Sequence, residues 1–458
     1  MRRTAWLSIA VISALLIALH AEERPRYGGT LRVQLRESVL SIDPGDGKEI
    51  SSARVRLATL IFDRLTQIDE KGRVRPQLAI SWTSDAQHKN WRFTLRNGVT
   101  FHDGTPLTAA HVISAFTNDA RWQVRAGNGP QVLVFECPNA IYDLPAVLAG
   151  VKYSIVLRGA ESAQGTGPFR VSGIQPGRQI SLAANIDYFE GRPYVDGIEI
   201  QMGNSIREQL IDRRLDRDDL LEVDIDQARG LSAASQRVET SQPTRLLAMM
   251  FRSENAALRE LLARSIDREA IHSVILKKSG APANSLLPQW LTGYAQLFRP
   301  EADPMRVQKL KTDLARTPPI YLAFDPTDPV SKAVADRIAV NARDVGLTVQ
   351  AFGEKATAIA AGQTRADAVL VSIPLGSSHA SQALAQLAEG AGLDQADALS
   401  SAKPEQLYAA EDAMLETNRI IPIAHLPATF WTSSRVRNWK MLPDGRWKLE
   451  QVWLDSVK

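Results

Sequence analysis

The sequence predicts an α/β protein of more than one domain, and three observations carry that expectation. The chain has 458 residues, more than one hydrophobic core usually organises. Residues 91–112 compress a strand, a turn, a second short strand, another turn and a helix start into one run. Residues 320–351 read as strand, helix and strand, the βαβ unit of a parallel pair. Hydrophobic residues make up 44% and charged residues 23%, ordinary for a globular protein. Net charge is only +3, and no dense basic stripe with interleaved aromatics appears, so nucleic acid is not an expected partner.

At the N-terminus Arg2 and Arg3 precede a mainly apolar stretch, 5–19, and Ala21 precedes charged residues, as in a cleaved signal peptide over 1–21. The apolar stretch is short for a membrane span of about 20 residues; an uncleaved anchor is the alternative. Cys137 is the only cysteine, so no intramolecular disulfide can form, and a shielded structural thiol is expected.

Gly28 and Gly29 open a first strand at 30–33, and a loop at 38–44 ends in Asp43-Pro44. Helical spacing over 55–65 is followed by a hairpin turn at 69–72. Trp91, Phe93 and Leu95 alternate with Arg92, Thr94 and Arg96, the period of a half-buried strand. Asn97-Gly98 supplies a turn, Val99 and Phe101 resume the alternation, and Thr108 is placed to cap a helix from Ala109. His102, Asp103 and His111 invite acid/base or metal roles, but no third ligand stands at a metal spacing and turn chemistry explains them. Gly165-Thr166-Gly167 is not a dinucleotide loop, because Arg170 replaces the third glycine.

Further on, 206–219 reads as an amphipathic helix, 220–225 as a strand and 258–271 as a helix. Ile320 to Phe324 reads as a buried strand. Asp328-Pro329 opens a helix through Val345 with Val330, Val334 and Ile338 on one face, Gly346 stops it, and 347–351 is the next strand. Strands are also expected at 368–373, 420–425 and 447–454. No nucleophile elbow, phosphate-binding glycine loop or His-Glu-x-x-His pair occurs, so a binding module, not an enzyme, is expected.

Several of these runs resemble a family. Trp91-x-Phe93-x-Leu95-Arg96-x-Gly98-Val99-x-Phe101-His102-Asp103-Gly104-x-Pro106 is similar to a signature of the extracytoplasmic solute-binding proteins serving dipeptide, oligopeptide and nickel ABC importers. Pro76-x-Leu78-Ala79-x-Ser81-Trp82, Gly165-Thr166-Gly167-Pro168-Phe169, Asp187-Tyr188-Phe189-x-Gly191-x-Pro193 and Ile266-Asp267-Arg268 extend the resemblance over most of the chain. It implies a two-lobed periplasmic-binding-protein fold with an extra small subdomain in the first lobe and the ligand cleft between lobes. The first lobe would comprise 22–60, 165–240 and 428–458, the subdomain 61–164 and the second lobe 241–427. The implied function is the periplasmic binding of a peptide-like or other small polar solute by lobe closure, with delivery to ABC transporter permease subunits. No cofactor is expected, and a monomer is. Many relatives carry a lipid-modified cysteine at the signal cleavage site; none stands there, so a lipoprotein is not expected.

By the same resemblance, the cleft is expected to draw on Leu40, Ser41 and Asp43 from the first lobe and Ser372, Pro374, Gly376, Ser377 and His379 from the second, and Thr429 and Trp431, after the Pro427 turn, are further candidates to line it. Peptide-binding relatives carry a Trp-x-x-Asp-x-x-Asp-Pro element after the 368–373 strand, whose acid pairs with a peptide's amino terminus. This chain has Ser372-Ile373-Pro374-Leu375-Gly376-Ser377-Ser378-His379 instead, with neither tryptophan nor acid. An unpaired buried ammonium costs several kcal/mol, which puts free peptide in doubt as the ligand. The alternative function is a sensory or scaffold relative that presents ligand to a membrane receptor.

Overall fold

The computed structural model describes residues 24–455 apart from 46–50, 118, 160–162, 253, 295–302, 315–316, 356–357, 360–361, 376–378, 391–398 and 400–402. The signal peptide expected over 1–21, and Gly376 and Ser377, lie outside the described residues.

One 11-stranded sheet runs through the molecule in the order Phe169–Gln175, Gln179–Ala184, Gly197–Met202, Thr30–Leu35, Leu220–Glu222, Ile420–Thr432, Val238–Phe251, Ala368–Pro374, Ile320–Phe324, Val349–Gly353, with Ala281–Pro282 added beside Ile420–Thr432. Leu31, Val33 and Leu35 of the first strand are buried in a core that also takes Leu57, Phe62, Phe169, Ile198, Phe430 and Trp439. A second core forms around Met249, Leu261, Leu322, Val334, Ile338, Leu370 and Ile421. Strand alternation explains its partner on the opposite face. Leu247 and Met249 point into the second core, whereas Leu246 and Ala248 join Leu286, Leu384, Leu387 and Leu415 beneath two helices.

The 14-residue strand Val238–Phe251 and the 13-residue strand Ile420–Thr432 pair antiparallel and carry the chain from the first core to the second. Their register is broken between Thr240 and Pro243 and again between Pro243 and Arg245, where Pro243 faces Pro427. Proline has no N–H to give to the ladder, so the sheet is least tied at the crossing.

A third core, with Trp91, Phe93, Phe101, Phe116, Trp122 and Phe135, stands under a separate four-stranded sheet ordered Ala79–Ser84, Asn90–Leu95, Val132–Glu136, Gln123–Ala126. Here the 91–112 run behaves largely as expected. Trp91, Phe93 and Leu95 are buried, and Gly98 has φ 74°. The second short strand is absent: Val99 and Phe101 are buried, but only the single bridge Thr100 to Pro106 forms, because the turn at Gly104 closes too soon for a ladder.

The histidines there serve structure. His111 Nδ1 accepts the Thr108 N–H at 3.2 Å, closing the start of helix Ala109–Phe116. His102 donates its backbone N–H to Gly165 O (2.9 Å) and its Nε2–H to Gly167 O (3.0 Å), so one family motif is bonded to another. Asp63 joins them from below. Its fully buried carboxylate accepts Gln77 Nε2 (2.6 Å) and Thr166 Oγ1 (2.9 Å), and burial pushes it up to about 6. Cys137 is buried, and burial raises its thiol to about 11.

In the second core the βαβ reading holds. Asp328 accepts the Val330 N–H, helix Pro329–Asp344 buries Val334 and Ile338, and Ile320–Phe324 pairs in parallel with Val349–Gly353. The second strand starts two residues later than expected because Leu347 N–H bonds back to Ala342 O, finishing the helix with Gly346 at φ 82°.

Other boundaries move for similar reasons. The strand from Leu220 stops at Glu222 because Asp224 caps helix Ile225–Ala233. The helix over 258–271 is interrupted after Ser265, where Asp267 caps a new turn. Of 447–454 Trp453–Leu454 forms a strand, Trp447 makes a single bridge to Met441, and Leu449–Gln451 is a 3-10 turn.

Candidate functional site

A cavity of about 640 Å³ opens between the third core and the cluster of Leu246, Leu286, Leu384 and Leu415 on the opposite face of the sheet from the second core. One wall is the hairpin turn of Asp69, Glu70, Lys71 and Gly72 together with Tyr142, Asp143 and Val147. The facing wall is Trp290, Leu291, Thr292 and Tyr294, with His379, Ala380 and Ser381 at the start of helix Ala380–Gly390 and Lys403 and Leu407 at the start of helix Pro404–Glu416. Leu442, Pro443 and Asp444 complete it. This size suits a drug-like or small peptide-like ligand.

Each wall is fixed by local chemistry. Asp69 accepts the N–H groups of Lys71 (2.9 Å) and Arg73 (3.0 Å) and the guanidinium Nε of Arg73 and Arg75, and these bonds hold its carboxyl far below the usual range. Asp143 caps the short helix Leu144–Leu148 by accepting Ala146 N–H at 3.1 Å. Trp290 Nε1 donates to Pro243 O at 2.8 Å, fastening the wall to the strand crossing. Tyr294 donates its hydroxyl to Glu411, a buried carboxylate that also accepts Leu286 N–H (2.7 Å) and Leu287 N–H (2.9 Å) and is raised by burial.

The two walls also touch. Gln382 Nε2 donates to Ala146 O and Val147 O, both at 2.7 Å, adding a second bond to carbonyls that already accept the Ala149 and Gly150 N–H groups at the end of helix Leu144–Leu148. His379 Nε2 stands 3.9 Å from Asp143 Oδ2 at the other end of that helix, and its Nδ1 lies 2.9 Å from Ser381 Oγ. Burial lowers the His379 pKa against the pull of Asp143. Lys403 Nζ lies 4.2 Å over the Tyr142 ring. Gln382→Ala is expected to cost about 0.5–1.5 kcal/mol, the net worth of a lost hydrogen bond, because both carbonyls keep their backbone partners. It should also enlarge the radius of gyration of the ligand-free protein in X-ray scattering; an unchanged radius would show that the contact does not hold the walls together.

A second cavity of about 20 Å³, room for about one water, lies among Ser52, Val55, Arg56, Thr244, Pro374 and Gly445.

Of the residues singled out in the sequence, His379 lines the large cavity and Pro374 the small one. Ser372 faces Leu247 across the ladder, with its Oγ buried and unbonded. Leu40, Ser41 and Asp43 line neither cavity. Asp43 is held by Gly45 N–H and by two bonds from Arg158 (3.0 and 3.2 Å), and Leu40 is 60% exposed beside the Gly177 turn. Thr429 pairs with Thr240 across the crossing strands. Trp431 is packed with Leu221, Val223 and Leu231, and its Nε1 bonds to Gln236 at 3.2 Å, so it belongs to a small core and to neither cavity wall. His425 is buried with Nε2 3.2 Å from Leu286 O, and burial pushes it down to about 4. Sequence reasoning missed Tyr142, Asp143, Trp290 and Lys403. Among the described residues no three His, Cys, Asp or Glu side chains converge as a metal site, and no helix is long and apolar enough to cross a membrane.

A sheet threaded through two cores by a pair of long strands, with a solute-sized cavity walled from opposite sides, is the build of a two-lobed solute-binding protein. The chain belongs to the bacterial extracellular solute-binding proteins, family 5, whose middle region matches residues 73–392. As a member of that family it is a binding protein and not an enzyme.

The fold is similar to that of the oligopeptide-binding protein AppA from Bacillus subtilis in complex with a nonapeptide, with TM-score 0.78 and 19% identity over 94% of this chain and 100% of that one. It is likewise similar to NikA from Staphylococcus aureus in complex with Ni(L-His)2, with TM-score 0.80 and 18% identity over 93% of this chain and 100% of that one. The uncharacterized protein YhjP of Bacillus subtilis is 34% identical over 179 residues, 36% of this chain and 30% of that protein, so the chain spans under a third of that relative's length. The nickel-binding periplasmic protein of Escherichia coli is 23% identical over 373 residues, 67% of this chain and 68% of that protein.

Proposed function

We propose that this chain is the periplasmic substrate-binding component of an ABC importer, exported by a signal peptide over 1–21. It encloses a peptide-like or other small polar solute in the 640 Å³ cavity and delivers it to inner-membrane permease subunits. In this reading 241–427 is the second lobe, 61–164 the subdomain of the first, and the cavity between them the ligand cleft. The observation that carries it is the pair of facing walls joined by Gln382: a solute held by both stabilises the closed arrangement.

The experiment is a thermal-unfolding screen against dipeptides, oligopeptides, nickel chelates, N-acylated peptides, small carboxylic acids and sugars. A ligand bound only by the native state raises the midpoint by mass action, by the equivalent of about 2.7 kcal/mol at a hundred times its Kd. Absence of any shift at millimolar concentration across the panel overturns the proposal.

A further inference from the structure

The four carboxylates on the cavity wall are already engaged. Asp69 is saturated by two N–H groups and two guanidinium groups. Asp444 is bonded by Arg446 through its Nε (2.6 Å) and its N–H (3.1 Å). Asp143 caps its helix and faces His379, and Glu70 stands 4.0 Å from the Lys448 ammonium. The wall's two lysines are different: among the described residues neither Lys71 nor Lys403 has a carboxylate within ion-pair distance. Lys403 is moreover held in place, its Nζ seated over Tyr142, a contact that positions the charge without neutralising it. It also stands at the first turn of helix Pro404–Glu416, and His379 to Ser381 stand at the start of helix Ala380–Gly390, so two helix N-termini add positive potential to the same wall.

A solute that brings an ammonium into this cavity meets two ammonium groups that lack a carboxylate partner, and must compete with an existing partner for each acid. A solute that brings a carboxylate finds an ammonium waiting. Trp290, Leu291 and Leu407 offer apolar surface for the rest of it.

Resting on the reading of this cavity as the ligand cleft, we propose that its solute carries a free carboxylate and no free ammonium, the class of an N-acylated dipeptide or a carboxylic acid of that size, with the carboxylate paired to Lys403.

Calorimetric titration of the full chain with a dipeptide, its N-acetyl derivative and the N-acetyl derivative amidated at its C-terminus tests this, together with the panel above. The acetyl derivative is expected to bind at least tenfold more tightly than the free dipeptide, and amidation to abolish binding. Lys403→Met, at an exposed position, is expected to weaken the acetyl derivative at least tenfold while leaving the unfolding midpoint of the ligand-free protein unchanged. Equal or tighter binding of the free dipeptide, or full affinity in Lys403→Met, overturns the inference. If neither acetyl peptides nor carboxylic acids bind while other panel members do, this inference falls and the solute-binding reading stands; if nothing in the panel binds, the reading itself falls.

Discussion

Glu222→Ala is expected to destabilise the protein by about 3–5 kcal/mol, because it leaves a buried guanidinium without its counter-charge. Arg56 Nη1 lies 3.0 Å from Glu222 Oε1, with the two side chains 3% and 9% exposed. The Arg56 guanidinium is stacked 5.0 Å from the Phe430 ring centre and 5.5 Å from that of Trp447, and its Nε donates to Gly445 O. The adjoining cavity of about 20 Å³ has room for about one water, too little to replace the carboxylate's charge. Burial alone would raise the Glu222 pKa, but Arg56 and Arg245 outweigh it and the net shift is downward. The ion pair's contribution is therefore present above the unfolded value of about 4.3 and is lost as pH falls through the lower folded value. Urea unfolding at pH 7 should show a lower midpoint with an unchanged slope, and the gap between wild type and variant should narrow in acid. A variant within 1 kcal/mol of wild type would mean that Arg56 finds water or another acid.

Gly165→Ala is expected to cost more than about 4 kcal/mol, in the range of changes with a specific steric cause. A Cβ at 165 would sit 1.9 Å from Ile61 O and 2.7 Å from Ile61 C, and both are backbone atoms at the end of helix Ser52–Ile61. That carbonyl is also the acceptor for Gly167 N–H at 3.0 Å, so it cannot swing aside without breaking the junction of the first and third cores. Gly98→Ala is the comparison: its Cβ meets nothing within 4 Å, and only φ 74° opposes it, about 1–2 kcal/mol. Thermal unfolding of both variants separates the two causes. Similar losses would show that the Gly165 clash is relieved by movement.

Much of the architecture was legible because local rules decided it. The period of Trp91, Phe93 and Leu95, the Asp328-Pro329 cap and the Gly346 stop each depend on neighbours a few residues away, and each is found in place. Val99 and Phe101 show the limit: their alternation signals burial, which is correct, but a ladder needs a partner strand that the Gly104 turn does not leave room for.

The cavity was legible only at His379. Tyr142, Trp290 and Lys403 come from segments more than a hundred residues apart, and no periodicity announces that they converge. Trp431 illustrates the converse. Strand Ile420–Thr432 is buried on nearly every residue, so the alternation that would assign a face to its tryptophan is missing.

The crossing strands have a consequence for taking the molecule apart. Thr240 on the outgoing strand and Thr429 on the returning one are direct neighbours in the ladder, Oγ1 to Oγ1 3.4 Å. Everything between them is thus an insertion whose ends already meet at the spacing of adjacent strands, about 5 Å. Splicing Thr240 to Thr429 through a two-residue turn closes the hairpin with little loop entropy. The paired prolines 243 and 427 lie just beyond the cut, on the discarded side.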